Sequence, residues 1–198
     1  MKLDFDKNIH LENERVRLEP LTMGHIDSLT PIAINNPNLL QYSPPKFGTV
    51  DSLKDYIERY VKMRAQQLIY AFAIFDKEKE QYAGSTSFMN ISQVDQRLEI
   101  GSTWIGKPFQ RTGLNRHCKY LLMQYVFETL QFERLELRTD ERNIQSQTAI
   151  KAIGAQYEGL LRSHLLMSDG FRRNTVCFSI LKHEWPQIKS TIFRSFVQ

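Results

Sequence analysis

Three short apolar segments follow one another in the middle of the chain, and each has the length of a β-strand. They are Tyr70 to Phe75, Tyr82 to Met89 and Arg97 to Ile105, with polar residues between them at 76–81 and 90–96. Connections this short join antiparallel neighbours, because a parallel pair needs a crossover of about a dozen residues or more. The centre of the fold is therefore predicted to be an antiparallel meander.

Apolar spacing on both sides of this meander predicts further strands and helices. They are, in chain order, a strand at Arg15 to Glu19, helices at His25 to Ile34 and Thr49 to Gln67, a long helix from Leu114 to near Leu130, a strand at Arg134 to Thr139, a helix at Ile144 to Ile153, and strands at Gln156 to Leu166 and Asn174 to Leu181. This order predicts one α/β (α+β) domain with a mixed, mostly antiparallel central sheet flanked by helices. We place its core at about residues 11–185 and a short C-terminal tail at 186–198.

The composition narrows the classes of protein that fit. Hydrophobic residues make up 41% of the 198 residues and charged residues 24%, as in ordinary globular domains. No apolar run is long enough to cross a bilayer and the N-terminus lacks the layout of a secretory signal, so we expect a cytoplasmic protein without membrane contact. The net charge of +4 suits an anionic ligand, but the basic residues are too scattered for a nucleic acid partner.

The segment Gln110-Arg111-Thr112-Gly113-Leu114-Asn115 stands between the third meander strand and the long helix. The first N–H groups of a helix have no internal partner and lie at the positive end of its dipole, so they attract phosphate. Gly113 lets the backbone approach a phosphate closely, and Arg111 adds a charged donor. The segment is neither a P-loop nor a GxGxxG dinucleotide turn. It predicts a pyrophosphate cradle, although a plain turn would use the same residues.

This segment resembles the signature Arg/Gln-x-x-Gly-x-Gly/Ala of the GNAT acetyltransferases, with Gln110 and Gly113 in place and Asn115 last. Asn also occurs at that last position in the ribosomal-protein N-terminal acetyltransferase branch, which this chain resembles from about Leu11 to Trp185. The further matching motifs are Leu98-Glu99-Ile100-Gly101 with Trp104, Arg138-Thr139-Asp140, Asn143-Ile144-Gln145-Ser146, Gly154-Ala155, Glu158-Gly159 with Arg162, Asp169-Gly170 and Glu184-Trp185.

The resemblance implies a sheet that is splayed between the strands before and after the long helix, with acetyl-CoA bound there as cosubstrate. It assigns the main chain around Trp104 and Ile105 to the pantetheine arm and the thioester carbonyl. With the cradle included, the implied cofactor-binding residues are Trp104, Ile105, Gln110, Arg111, Thr112, Gly113, Leu114, Asn115 and Asn143. No metal is expected, because acetyl transfer from a thioester requires none.

Glu99 is the candidate general base. It alternates with Leu98 and Ile100 in its strand, so its side chain lies on the opposite face, beside Gly101, which leaves room for a water or a substrate. Only a neutral amine attacks a thioester, so a carboxylate that removes the amine proton would promote transfer. The alternative is a solvent-facing glutamate paired with a basic neighbour such as Arg97.

Asn143 and Ser146 each have two interpretations. Asn143 precedes a short helix and suits its N-cap position. The resemblance adds that Asn143 contacts coenzyme A or substrate and that Ser146 protonates the departing sulfur. A serine in a first helical turn is equally compatible with a purely structural use.

The resemblance implies an enzyme that moves an acetyl group from acetyl-CoA to a primary amine by direct attack in a ternary complex. Its closest branch acts on protein N-termini, including those of ribosomal proteins. Similar members acetylate small amines, and a non-catalytic acyl-CoA-binding module is a further alternative. We expect the acceptor to be chosen by the loop Pro37 to Gly48, the second helix and the hairpin Arg162 to Arg173. The identity of the amine, the use of longer acyl donors and the formation of a homodimer stay open.

Overall fold

The strands form one sheet whose centre is the predicted meander. The computed structural model describes residues 2–36, 38–44 and 46–196. The strands in these ranges are β1 Leu11–Glu12, β2 Val16–Pro20, β3 Tyr70–Asp76, β4 Gln81–Ser92, β5 Arg97–Ile105, β6 Arg134–Asp140, β7 Gln156–Leu166 and β8 Arg172–Leu181. They are arranged in the order β1-β2-β3-β4-β5-β6-β8-β7. Only β5 and β6 are parallel in this described sheet, so the mixed, mostly antiparallel architecture is confirmed.

Helices cover both faces of the sheet. Their bounds are α1 Ile26–Ile34, α2 Val50–Ala65, α3 Leu114–Gln124, α4 Ile144–Lys151 and α5 Trp185–Thr191, and a π-helical turn, Tyr125–Thr129, extends α3. On one face, Leu98 and Ile100 of β5 pack in a core with Leu114 of α3. On the other, Trp104 of β5 packs with α1 and α2, and its ring lies edge-on to Tyr56 with centroids 6.3 Å apart. Strict alternation would put Leu98, Ile100 and Trp104 on the same face, so the pattern of β5 is interrupted between Ile100 and Trp104.

Helix α2 begins at a reciprocal cap. The Thr49 hydroxyl accepts a hydrogen bond from the Ser52 N–H at 3.1 Å, and the Ser52 hydroxyl accepts one from the Thr49 N–H at 3.2 Å. Two backbone donors that the helix itself leaves unpaired are satisfied in this way. Thr49 is thus the cap that the sequence predicts.

Replacing Thr49 by Ala is expected to lower the free energy of unfolding by about 1 kcal/mol, because the Ser52 N–H loses its acceptor. Urea unfolding followed by circular dichroism measures the change. Thr148→Ala is a suitable control, since the Thr148 hydroxyl is exposed within α4 and bonds only the Ile144 carbonyl of its own helix. Equal losses in the two variants would show that the cap makes no particular contribution.

The segment after Pro186 is not the separable tail that the sequence suggests. Helix α5 buries Trp185 and Ile188, and the Phe193 side chain that follows is 0% exposed. Phe193 packs on Tyr120 of α3, with ring centroids 5.4 Å apart. The apolar residues after Pro186 are too few and too irregularly spaced to show a helical period. The sequence alone therefore does not indicate that they are buried. This segment closes the core beneath α3.

Pro37, where the predicted acceptor loop begins, lies outside the described residues.

The sheet opens between β5 and β6. Their parallel pairing runs only from Arg97–Arg134 to Glu99–Glu136, after which β5 continues along β4 and β6 continues along β8. One extra residue of β5 stands between the pairs Ser87–Gly101 and Ser85–Trp104, and Ser102 there has a φ of +48°. Such a bulge bends its strand and increases the twist. The predicted splay is confirmed, and the bulge lies beside it.

Candidate functional site

The splayed cleft lies at the edge of the sheet where two helices begin. Because β5 and β6 are parallel, their carboxyl ends lie at the same edge, and each leads into a helix, α3 after β5 and α4 after β6. Helix starts carry unpaired N–H groups and a positive dipole end. The opening between the strands therefore faces groups that favour a negatively charged ligand.

The predicted cradle is an irregular turn with two residues in the left-handed region. Arg111 has a φ of +60° and Gly113 a φ of +86°. Apart from Gly113 itself and its two chain neighbours, no atom of the described residues lies within 4 Å of the place where a Cβ of Gly113 would be, so the space above this turn is open. The first backbone hydrogen bond of α3 is donated by the Arg116 N–H to the Gly113 carbonyl at 2.9 Å. Before it, the Leu114 N–H makes only a long contact of 3.5 Å with the Thr112 Oγ1, so the start of α3 can still receive an anion.

The other cradle side chains have different uses. Gln110 donates to the Ile105 carbonyl at 2.8 Å and Thr112 to the Phe109 carbonyl at 2.8 Å, so both hold the turn against the end of β5. Leu114 is fully buried, which leaves only its main chain for a ligand. The Asn115 Oδ1 atom is buried without a hydrogen-bond partner among the described residues, and Arg111 is exposed. A bound molecule would thus meet backbone, Arg111 and the Asn115 amide.

Trp104 and Ile105 also offer only their main chain. The Trp104 side chain is buried under α2, and its ring packs edge-on to Phe47 with centroids 5.0 Å apart. Ile105 is buried in the core on the α3 face. Both residues belong to the part of β5 that β6 has left. Their peptide groups lie beside the cleft, where the family resemblance predicts that the pantetheine arm binds.

Glu99 lies where the two strands separate. Its side chain is on the α2 face and the residue is 6% exposed. The Asn90 amide donates to Glu99 Oε2 at 2.7 Å, and Arg138 Nε lies 3.4 Å from the same oxygen. Burial raises the pKa of Glu99 above its ordinary value, although Asn90 and Arg138 oppose the rise. A raised pKa makes the Glu99 carboxylate a stronger base than an ordinary glutamate.

Two expectations about the surroundings of Glu99 are wrong. Its ionic partner is Arg138 of β6, whereas Arg97 pairs with Asp95 at 3.6 Å and with Glu136 at 3.7 Å. This follows from the parallel register, which places β6 side chains beside β5. Gly101 leaves no free room either, because a Cβ there would collide with the Met89 sulfur. The thioether of Met89 fills that space.

Asn143 and Ser146 start helix α4. The Asn143 carbonyl oxygen accepts a hydrogen bond from the Ser146 N–H at 3.0 Å, so the N-cap interpretation of Asn143 is confirmed. Ser146 is half-buried in the first turn. Its hydroxyl is not needed for this cap, because the contact uses the backbone N–H. The chemical roles of the two residues stay predictions.

The structure brings two further pairs of residues to the cleft that sequence reasoning missed. Tyr60 of α2 and Ser102 of the β5 bulge share a hydrogen bond of 2.6 Å between their hydroxyls. Arg173 of β8 is 8% exposed and donates to the Tyr42 carbonyl at 2.9 Å, which ties the 38–44 loop to β8. Both contacts join positions far apart in the chain. No local pattern could have indicated them.

The described residues offer neither a metal-binding cluster nor a membrane-spanning helix. In residues 2–36, 38–44 and 46–196, no group of three His, Cys, Asp or Glu side chains is placed to hold a metal ion. Each helix in these ranges is too short or too polar to pass through a membrane. The candidate site is therefore described by the cradle, the cleft and Glu99.

Comparisons with known proteins agree with this geometry. A family model described as an acetyltransferase (GNAT) domain matches residues 15–156. YdaF of Bacillus subtilis (strain 168), provisionally named a ribosomal N-acetyltransferase, is 33% identical over 102 residues. That match covers 52% of this chain and 55% of YdaF, so the chain spans about half the length of this relative.

Solved structures share the fold over nearly the whole chain. A GCN5-related N-acetyltransferase from Brucella melitensis is 28% identical with a TM-score of 0.86, covering 95% of this chain and 85% of that one. An acetyl transferase from Salmonella typhimurium, described as modifying the N-terminal serine of a 50S ribosomal subunit protein, is 16% identical with a TM-score of 0.77. The match covers 87% of this chain and 99% of the Salmonella chain, and at this sequence identity it shows the fold alone. The family match spans more than half of the chain, including the cleft, the cradle and α4, and the chain belongs to the GNAT acetyltransferase family.

Proposed function

We propose that this acetyltransferase moves an acetyl group from acetyl-CoA to a protein N-terminal amine, such as that of a ribosomal protein, by direct attack in a ternary complex. Acetyl-CoA, the cosubstrate of the family, supplies an acetyl group activated as a thioester. The observation that carries the proposal is the position of Glu99, a buried carboxyl with a raised pKa at the point where β5 and β6 separate. The name of YdaF supports a ribosomal acceptor.

The chain's own residues suit the binding of coenzyme A. The N–H groups at the start of α3 and the Arg111 guanidinium would hold the pyrophosphate, and the open space above Gly113 allows close approach. The peptide groups of Trp104 and Ile105 would hold the pantetheine arm and polarise the thioester carbonyl. Asn143, at the start of α4, would complete the site.

Proton movement falls to two side chains. Glu99 takes the proton from the incoming amine, directly or through a water, because an ammonium ion has no lone pair for attack. Ser146 donates a proton to the sulfur that leaves. The acceptor reaches Glu99 from the α2 face, beneath the loop that Arg173 ties down through the Tyr42 carbonyl. The loop and the β7–β8 hairpin therefore shape the entrance for the acceptor.

The test is to incubate the protein and deuterium-labelled acetyl-CoA with a lysate and to identify the labelled products by mass spectrometry. The proposal expects the label on α-amines of a small set of proteins, ribosomal proteins among them. A label found only on small amines would reassign the acceptor. Binding of acetyl-CoA without any labelled product would identify a non-catalytic acyl-CoA-binding module.

Gly113→Asp is expected to weaken acetyl-CoA binding at least tenfold, about 1.4 kcal/mol, because it places a carboxylate where the pyrophosphate would lie. Calorimetric titration measures the affinity. Gly113→Asn is the matched control, since it has the same size and the same strain at a φ of +86° but no charge. Equal affinities in the two variants would place the pyrophosphate elsewhere.

A further inference from the structure

A buried lysine stands behind the β5 bulge. Lys119, on α3, is 7% exposed, and its Nζ donates a hydrogen bond to the Thr103 Oγ1 at 2.9 Å. The Thr103 hydroxyl in turn lies 2.8 Å from the Thr86 hydroxyl of β4. A chain of polar contacts thus runs from α3 through the bulge of β5 to β4.

This lysine has no carboxylate to balance its charge within the described ranges. Among the described residues, Cys118 is the one ionisable neighbour that affects Lys119. Burial raises the pKa of the Cys118 thiol to about 12, so this thiol is neutral and carries no balancing charge. Burial lowers the pKa of Lys119 to about 8, so the ammonium form still predominates at pH 7. A buried charge without an opposite charge is costly for folding. A gain in folding stability therefore does not explain why Lys119 is buried at this position.

The bulge itself is strained and is held from both faces. Ser102 is a non-glycine residue in the left-handed region, which persists only when the surroundings enforce it. On the α2 face, Tyr60 bonds the Ser102 hydroxyl at 2.6 Å. On the α3 face, Lys119 bonds the hydroxyl of Thr103, the next residue. The two contacts fix the direction of the peptide groups that lead to Trp104.

We propose that Lys119 is a positioning residue for acetyl transfer: through Thr103 it fixes the β5 bulge and places a positive charge behind the peptide groups that polarise the thioester carbonyl. Negative charge grows on that carbonyl oxygen during attack, and a fixed positive charge in a water-poor site stabilises it. This inference rests on the proposed function, because it needs the thioester to lie along β5.

The test compares Lys119→Met with Lys182→Met, which removes a surface charge paired with Glu133 at the end of β6 opposite to the cleft. We expect Lys119→Met to lower kcat by about tenfold, less than the loss of a direct oxyanion donor, with little change in KM for acetyl-CoA. The infrared carbonyl stretch of bound, ¹³C-labelled acetyl-CoA should move back toward its value in water. The thermal midpoint should stay or rise, since a costly buried charge is removed. Lys182→Met should leave all of these unchanged.

Thr103 supplies an independent pair of variants. Thr103→Val removes the acceptor of the Lys119 bond and should lower kcat and shift the carbonyl stretch as Lys119→Met does, whereas Thr103→Ser keeps the oxygen and should preserve both. An unchanged kcat in Lys119→Met, or a loss of kcat with an unshifted carbonyl stretch, would overturn the proposal. Failure of the wild-type protein to bind or use acetyl-CoA would instead refute the proposed function.

Discussion

Glu99→Gln is expected to lower kcat/KM for the acceptor amine by about 10²-fold near neutral pH. Glutamine has the same size and can still accept the hydrogen bond that Asn90 donates at 2.7 Å, so the variant removes basicity and little else. A terminal amine with a pKa near 8 is roughly 10% neutral at pH 7, while a lysine amine is well under 1% neutral. The loss should therefore shrink as the pH rises toward the pKa of the amine.

Stability should move in the opposite direction to activity. Because burial raises the pKa of Glu99, the folded protein holds this proton more tightly than the unfolded chain does. Ionised Glu99 therefore costs stability, and this cost appears as the pH rises from the ordinary pKa of glutamate through the raised one. Glutamine carries no such cost. The thermal midpoint of Glu99→Gln at pH 7 should equal or exceed that of the wild type.

A pH–rate profile on one confirmed acceptor measures the effect, with circular dichroism to verify folding. Glu136→Gln is the comparison variant: Glu136 is also buried and lies opposite Glu99 in the β5–β6 register, and its charge contributes to the raised pKa of Glu99. This variant should keep most of the activity. A Glu99→Gln profile with the height and shape of the wild type would leave Glu99 a structural residue of β5, with bulk water as the proton acceptor.

Ser146→Ala is expected to lower kcat by about 10²-fold while acetyl-CoA binds almost as well as before. The hydroxyl would be lost as a proton donor to the thiolate, whereas the cap of α4 would persist, because Asn143 bonds the backbone N–H of residue 146. Single-turnover kinetics would separate the chemical step from product release.

Thr148→Ala controls for the loss of a hydroxyl from the same helix, since the Thr148 hydroxyl bonds only the Ile144 carbonyl. It should leave kcat unchanged. If Ser146→Ala also keeps its kcat and shows only a lower thermal midpoint, Ser146 is a structural residue and the sulfur takes its proton from water.

The central fold followed from local patterns. The three strand-length apolar segments in 70–105 and the short polar turns between them indicate an antiparallel meander, and Thr49 marks the start of α2 by its capping chemistry. β1 is only two residues long, so it shows no alternation of apolar and polar residues. The position of α5 depends on the burial of Phe193 against other elements, which no local pattern indicates. The splay itself was expected from the family resemblance. The bulge at Ser102 beside the splay was not expected, because no residue type in this part of the sequence indicates a bulge.

The candidate site was predictable only where its residues are close in sequence. The cradle and the cap of α4 are local features, so their residues could be named directly. The partner of Glu99 depends on the register of two parallel strands, which placed Arg138 beside it and not Arg97. The Tyr60–Ser102, Arg173–Tyr42 and Lys119–Thr103 contacts join different elements, and only the folded structure brings them together.

An amide NMR titration of the ¹⁵N-labelled protein with acetyl-CoA tests most directly whether the cosubstrate occupies the splayed cleft. Saturable shifts should appear at the amides of the cradle, Gly113 and Leu114 above all, at Trp104 and Ile105 of β5, and at the start of α4. Helix α5 and the outer strands β1 and β2 should change little. The absence of saturable shifts, or shifts confined to surfaces away from the β5–β6 opening, would contradict the account.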